Sequence, residues 1–359
     1  MSLTVIKPSS KPFRILVTRT DRLGDVMLAT PVLKALKKTH PFAQISFLVQ
    51  KQWMPVLQYG SEITLIEYDP KESASILAER LRKENFQRVI VLRDEKTVTK
   101  AVRLAKIPER VGPYSSFRSF FSFNRGKFQK RSACKMHEAE YNLNLVTQVR
   151  PARTVEELPS AWVETGPQAK ARAENFLRSE GLLGQKFFVI HPGSSGSARY
   201  VKQTQLHALA RALLAEGKFV CVSGGPDEAT LLDEFSSAVP EIKILGKEKE
   251  IGLDGMAEVY RKAEAVIAHG TGPLHLAAAV GAPVLAIFSP IFVLSEKRWG
   301  PLTPKRSVWT PPDVNCPAKF QCLGSRCAYF DCMDRFTVQG ALSRLRLISN
   351  EFKHYNDLL

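Results

Sequence analysis

The stretch Arg14–Lys38, RILVTRTDRLGDVMLATPVLKALKK, decides the fold. Its first five residues end in an apolar, β-branched run, as expected of a parallel strand buried on both faces. Polar residues and Gly24 follow, suiting a tight turn, and apolar positions then recur at helical spacing over Asp25–Lys38. In an open α/β sheet, ligands bind where such a strand ends and its helix begins.

The alternation continues outward. Strand-like runs at Phe13–Thr18, Gln44–Val49, Ile63–Tyr68 and Arg88–Leu92 are separated by helical patterns, including Ser73–Glu84 and Lys96–Lys106. That order predicts a parallel sheet with covering helices. Arg150–Pro167 holds three prolines and no periodicity, and reads as a linker. The rhythm restarts with a helix over Gln168–Ser179, a strand over Phe187–His191, a helix over Gln203–Glu216 and a strand over Phe219–Ser223. It runs on through helices at Asp227–Ser237, Asp254–Lys262 and Pro273–Val280, with strands at Ala265–Ala268 and Pro283–Phe288, to a closing helix near Val338–Lys353. A chain of 359 residues exceeds what one core usually serves. The expected division is a domain at 1–150, a linker at 151–167 and a domain at 168–359.

Charge is unevenly spread. The net charge is +16, and residues 1–150 hold 27 Lys and Arg against 13 Asp and Glu. Such asymmetry points to a polyanionic partner: nucleic acid, an anionic membrane surface or an acidic substrate. No apolar export segment opens the chain. Ala265–Ser295, free of Asp, Glu, Lys and Arg, is punctuated by glycines and prolines, so a buried strand–helix–strand passage is expected there rather than a membrane span. Cys316, Cys322, Cys327 and Cys332 lack C-x-x-C pairs, and the expectation is unpaired thiols and no metal site.

Five segments could carry chemistry. In Thr18–Asp25, the carboxylate of Asp25 is either a helix N-cap or a general base facing a cleft. In His191–Arg199, HPGSSGSAR, Gly193, Ser194 and Ser195 let a backbone approach phosphate oxygens, with charge from Arg199 or Lys202. Acidic residues after a strand, as in Ser223–Glu228, often meet ribose hydroxyls and equally open helices. Gly270–Leu276 puts Thr271, Gly272 and Pro273 at a helix start, a second anion site, with His275 either a ligand contact or a packed histidine. Lys100–Lys135 holds ten cations against Glu109 alone, interleaved with six aromatics from Tyr114 to Phe128. That mixture suits an anionic lipid interface, a glycan acceptor or single-stranded nucleic acid, or else a plain surface loop. Walker A and nicotinamide glycine fingerprints are missing, as is any D-x-D clamp.

Taken together, the chain resembles glycosyltransferase family 9, the ADP-heptose:lipopolysaccharide heptosyltransferase family. The likeness rests on the quoted N-terminal stretch, HPGSSG and GTGPLHLAAAVGAPVLAIFSP, in that order. The resemblance implies an α/β GT-B fold of two Rossmann-like, doubly wound domains with a cleft between them. It implies an inverting, metal-independent transfer with no cofactor, from an ADP-heptose-like nucleotide sugar to an anionic glycolipid. Asp25 then matches the base, Gly193, Ser194, Ser195, Arg199, Thr271, Gly272 and His275 the donor phosphate contacts, and Glu228 a ribose contact. Arg22, Gly24 and Arg118 fall on the acceptor side. A cytoplasmic enzyme touching the anionic inner face of the membrane is implied, with no nucleic-acid partner. A non-catalytic nucleic-acid or surface binder on a degenerate transferase scaffold is the alternative. One departure is clear: Gly270 stands where many members carry Asp, and His269 is a conceivable substitute.

Overall fold

A computed structural model describes residues 12–58, 62–147, 157–194, 200–245 and 251–356. Among these, the N-terminal lobe holds strands β1 (Arg14–Thr18), β2 (Gln44–Gln50), β3 (Ile63–Tyr68), β4 (Arg88–Val91), β5 (Glu109–Tyr114) and β6 (Arg125–Phe128). Its helices are α1 (Leu23–Met27), α2 (Thr30–Thr39), α3 (Ala74–Lys83), α4 (Lys96–Leu104), α5 (Phe117–Ser122) and α6 (Glu138–Leu143). The second lobe runs α7 (Pro167–Ser179), β7 (Phe187–His191), α8 (Gln203–Ala215), β8 (Phe219–Ser223), α9 (Ala229–Ala238) and β9 (Lys243–Leu245). It continues with α10 (Gly252–Lys262), β10 (Ala265–His269), α11 (Gly272–Ala279), β11 (Val284–Ile287), α12 (Glu296–Trp299), β12 (Arg306–Trp309) and α13 (Val338–Asn356).

Each lobe is a six-stranded parallel sheet, ordered β3-β2-β1-β4-β5-β6 and β12-β11-β10-β7-β8-β9. Renumbered within its own lobe, the second order repeats the first. Both are the doubly wound Rossmann-like arrangement that the alternation predicted, giving the GT-B architecture. The strand order reverses between β1 and β4 and between β7 and β10, and ligand crevices open at such points.

The helix expected over Asp25–Lys38 is two helices. Pro31 lacks the N–H that would bond Met27, and the hydroxyl of Thr30 takes the Met27 carbonyl instead, at 2.7 Å. The short α1 packs against α11 of the second lobe. There Gly24 lies against α11: a Cβ on it would sit 2.7 Å from Cδ2 of His275, and one on Gly272 would sit 3.0 Å from Leu23. Gly24 is therefore inside α1 and serves close helix approach, not the tight turn expected of it.

The basic aromatic stretch is ordered structure rather than a plain loop: it forms β5, α5 and β6. Of the expected linker, residues 151–156 lie outside the described residues; from Leu158 the chain runs without helix or strand to α7. No helix among the described residues is long and apolar enough to cross a membrane. Ala265–Ser295 is the buried β10–α11–β11 passage and its following turns.

Candidate active site

The loops leaving β1, β4, β7 and β10 converge between the lobes. Two cavities meet there. One is lined by residues of both lobes, including Gly24, Ser194, Thr271, Gly272, His275 and Phe288. The other, of about 810 Å³, opens over the N-terminal sheet and is lined by Asp21, Arg93, Asp94, Tyr114, Phe128 and Lys130, among others. Arg22, Asp25 and Trp299 line both.

Asp25 is the third residue of α1, whose N-cap is Arg22, so it is not the cap that spacing alone suggests. Its Oδ1 accepts from Nη2 of Arg19. Burial pushes its carboxyl up to about 6, because desolvation of the charged form outweighs the pull of the Arg19 guanidinium. A carboxylate held there is a better proton acceptor than an exposed aspartate.

Arg19 is itself buried and belongs to a network absent from the sequence reading. Its Nε donates to Asp21 at 2.7 Å, and its Nη1 to Glu138 at 3.2 Å and Asn142 at 3.3 Å. Glu138, on α6, is buried and also accepts from Arg131. Its other oxygen takes Nε and Nη2 of Arg298 at 3.1 and 3.0 Å, and Arg298 comes from α12 of the second lobe. Burial alone would raise Glu138; Arg131, Arg19 and Arg298 outweigh it and hold it far below the usual carboxylate range. Two further contacts cross beside it: His137 meets the Gly300 carbonyl at 2.9 Å, and Leu302 packs with Leu28 and Ala139.

On the second-lobe side, Thr271 is the N-cap of the eight-residue α11 and Gly272 its first residue. Unpaired N–H groups at such a start favour an anion. His275 is buried, and burial pushes its imidazole down to about 3, so it is neutral, with Nδ1 unpartnered. Ser194 lines the same cavity, whereas Ser195 and Arg199 lie outside the described residues. Lys202, the other cation considered, pairs with Asp334 at 2.5 Å. A Cβ on Gly193 would run into the Glu228 carboxylate, which accepts from the Gly225 N–H at 2.7 Å and faces His191 at 3.6 Å.

Gly270 leaves no space for a side chain: a Cβ there would come within 2.5 Å of the Phe288 ring. His269 lines the first cavity, and its Nε2 accepts the Val201 N–H at 3.2 Å. Arg118 lines neither cavity and pairs with Asp94, which does line the larger one, at 3.0 Å. Among the described residues no disulfide joins the cysteines, and there is no metal-holding group of three or more His, Cys, Asp or Glu.

The model of glycosyltransferase family 9 (heptosyltransferase) matches residues 75–325. Lipooligosaccharide heptosyltransferase 2 of Haemophilus influenzae is 25% identical over 310 residues, covering 82% of this chain and 87% of the relative. The solved family 9 glycosyl transferase of Veillonella parvula superposes with a TM-score of 0.80 at 21% identity, covering 94% of this chain and 98% of that one. The Escherichia coli ADP-heptose lipopolysaccharide heptosyltransferase II gives 0.76 at 20% identity, over 95% and 100%. With most of the chain matched by the family model and the whole fold matched by its solved members, this protein belongs to glycosyltransferase family 9 and is a heptosyltransferase-like transferase.

Proposed function

We propose that the protein transfers a sugar, heptose or a close relative, from a nucleoside-diphosphate donor to an anionic glycolipid such as a lipopolysaccharide core, with inversion and without a metal ion. The observation that carries this reading is the position of Asp25 on the wall shared by the two cavities. Asp25 takes the proton of an acceptor hydroxyl held in the larger cavity, with Arg22 and Gly24 beside it. The hydroxyl oxygen bonds to the anomeric carbon as the bond from that carbon to the phosphate oxygen breaks. The electron pair leaves with the nucleoside diphosphate, and one displacement in line inverts the centre.

The leaving diphosphate gains negative charge. The α11 N-terminus at Thr271–Gly272, Ser194 and the cation Arg199 are assigned to hold it, with His275 as a neutral neighbour. Glu228, at the turn after β8, is assigned to the ribose. No D-x-D clamp occurs in the sequence, which supports leaving-group stabilisation by these groups. In the same reading, residues 1–150 bind the acceptor, 151–167 link, and 168–359 bind the donor. The excess positive charge of the first part supports work at the anionic, cytoplasmic face of a membrane.

Two measurements test this. Adenosine diphosphate at a hundredfold over its Kd is expected to stabilise the fold by about 2.7 kcal/mol, seen as a rise in Tm without added metal. A response to uridine or guanosine diphosphate instead would keep the transferase and discard an ADP-type donor; silence across the panel would sink the reading. In a rate profile, kcat/KM is expected to fall as pH drops through about 6, because protonated Asp25 cannot accept a proton. A flat profile between pH 5 and 8, about a unit either side of that value and beyond, would remove Asp25 as the base.

A further inference from the structure

Helix α5 is inside out. Its buried residues are Ser119 and Ser122, while Phe117, Phe120 and Phe121 are 82%, 54% and 58% exposed. Positions 117, 120 and 121 fall on one helical face, so three rings point together into solvent. Phe128, 82% exposed, extends the patch through Tyr114, whose ring centroid lies 5.3 Å from Phe120 and 5.2 Å from Phe128. A contiguous exposed apolar patch of this kind marks an interaction surface.

The patch is fixed to the protein. Asp94, in the loop after β4, accepts from Ser115 at 3.0 Å, Ser116 at 2.6 Å and Arg118 at 3.0 Å, and the Ser116 hydroxyl caps α5. Asp94, Tyr114 and Phe128 also line the larger cavity that reaches Asp25. The patch is therefore the outer lip of that cavity. Cations lie on the adjoining elements: Lys96, Lys100 and Arg103 are exposed on α4, which packs on α5, and Arg125, Lys130 and Lys135 are exposed in β6 and the chain after it.

We propose that α5 and the Tyr114–Phe128 lip are a membrane-docking surface, with the rings entering an anionic phospholipid interface and the flanking cations meeting its headgroups. The proposal deepens the reading above and rests on it, since a lipid-linked acceptor must reach Asp25 from a bilayer. Apolar rings at the boundary with Lys and Arg around them match the chemistry of an interfacial anchor. The rings pack edge-on to one another, Phe117 on Phe121 at 4.8 Å and Phe120 on Phe121 at 5.6 Å, forming a knob rather than separate platforms for bases.

The test uses the full chain with vesicles of phosphatidylglycerol and phosphatidylethanolamine, read by co-sedimentation, beside the double variant Phe117→Ser, Phe121→Ser. Both rings are exposed and outside the catalytic machinery, so the rise in Tm with adenosine diphosphate should be the same in both proteins. The expected result is binding by the unaltered chain, weakened by added salt, and at least about a tenfold lower partition for the variant. Equal partition of the two proteins overturns the proposal. So does loss, in the variant, of a dimer seen by light scattering or of binding to single-stranded RNA, with vesicle binding unchanged. A chain that binds vesicles through these rings without responding to any nucleotide upholds the surface while removing the transferase reading.

Discussion

Asp25→Asn is expected to lower turnover by about 10²–10⁴-fold while leaving nucleotide affinity within a few-fold. Asn keeps the shape of the side chain and can still accept from Arg19, but it cannot take a proton. The variant should be no less stable than the parent. Because burial raises the Asp25 carboxyl to about 6, its contribution to stability is full below the unfolded value and is lost as pH rises through 6. At neutral pH the folded state therefore bears an ionised group at some cost, and Asn removes it. Steady-state kinetics with a thermal melt at pH 7.5 separates the cases (any pH well above 6 would serve). A large loss of kcat with Tm unchanged or higher fits a base. A parallel loss of Tm and donor affinity would make Asp25 a structural member of the Arg19 network.

The architecture was legible because buried parallel strands are apolar on both faces. Val17, Phe47, Ile90, Val189 and Ile267 sit in such runs, and the inner strands were placed from them. The edge strand β3 was read from its apolar run, but β5, β6, β9 and β12 gave little signal. RGKF at β6, KIL at β9 and RSVW at β12 are short and partly exposed, and β5 carries Gly112 and Pro113. Asp25 was visible because its motif lies directly after the first strand. The groups that govern it were not. Glu138 stands 119 residues from Arg19 along the chain, and only the folded arrangement, with α6 packed on α2, brings the two together. A hint was available in HEAEYNL: the six helical residues Glu138–Leu143 are all buried, and two acids in a buried helix require partners. Gly270 was recognised as a departure, but its cause, the ring of Phe288, depends on packing that no spacing encodes.

Glu138→Gln is expected to be the most destabilising of the single changes considered, by about 3–5 kcal/mol in urea unfolding at neutral pH. The substitution keeps the shape and leaves Arg19, Arg131 and Arg298 around a neutral amide, one of whose ends presents donors to donors. Because Glu138 is held far below its ordinary value, its stabilisation is present above the unfolded carboxylate range and declines as pH falls below it. The gap between parent and variant should therefore be largest near neutrality and shrink in acid. A second readout distinguishes positioning from mere support. The charge on Glu138 helps raise Asp25 and also draws on Arg19, so neutralising it should move the acid limb of kcat/KM below 6. Glu138→Asp, which restores the charge on a shorter arm, should bring the limb part of the way back. A variant that loses stability while its acid limb stays at 6 would show that the triple-arginine site holds the lobes together and leaves the base alone. A limb that moves would tie the seam between the lobes, through Arg298, Glu138 and Arg19, to the proton acceptor in the cleft.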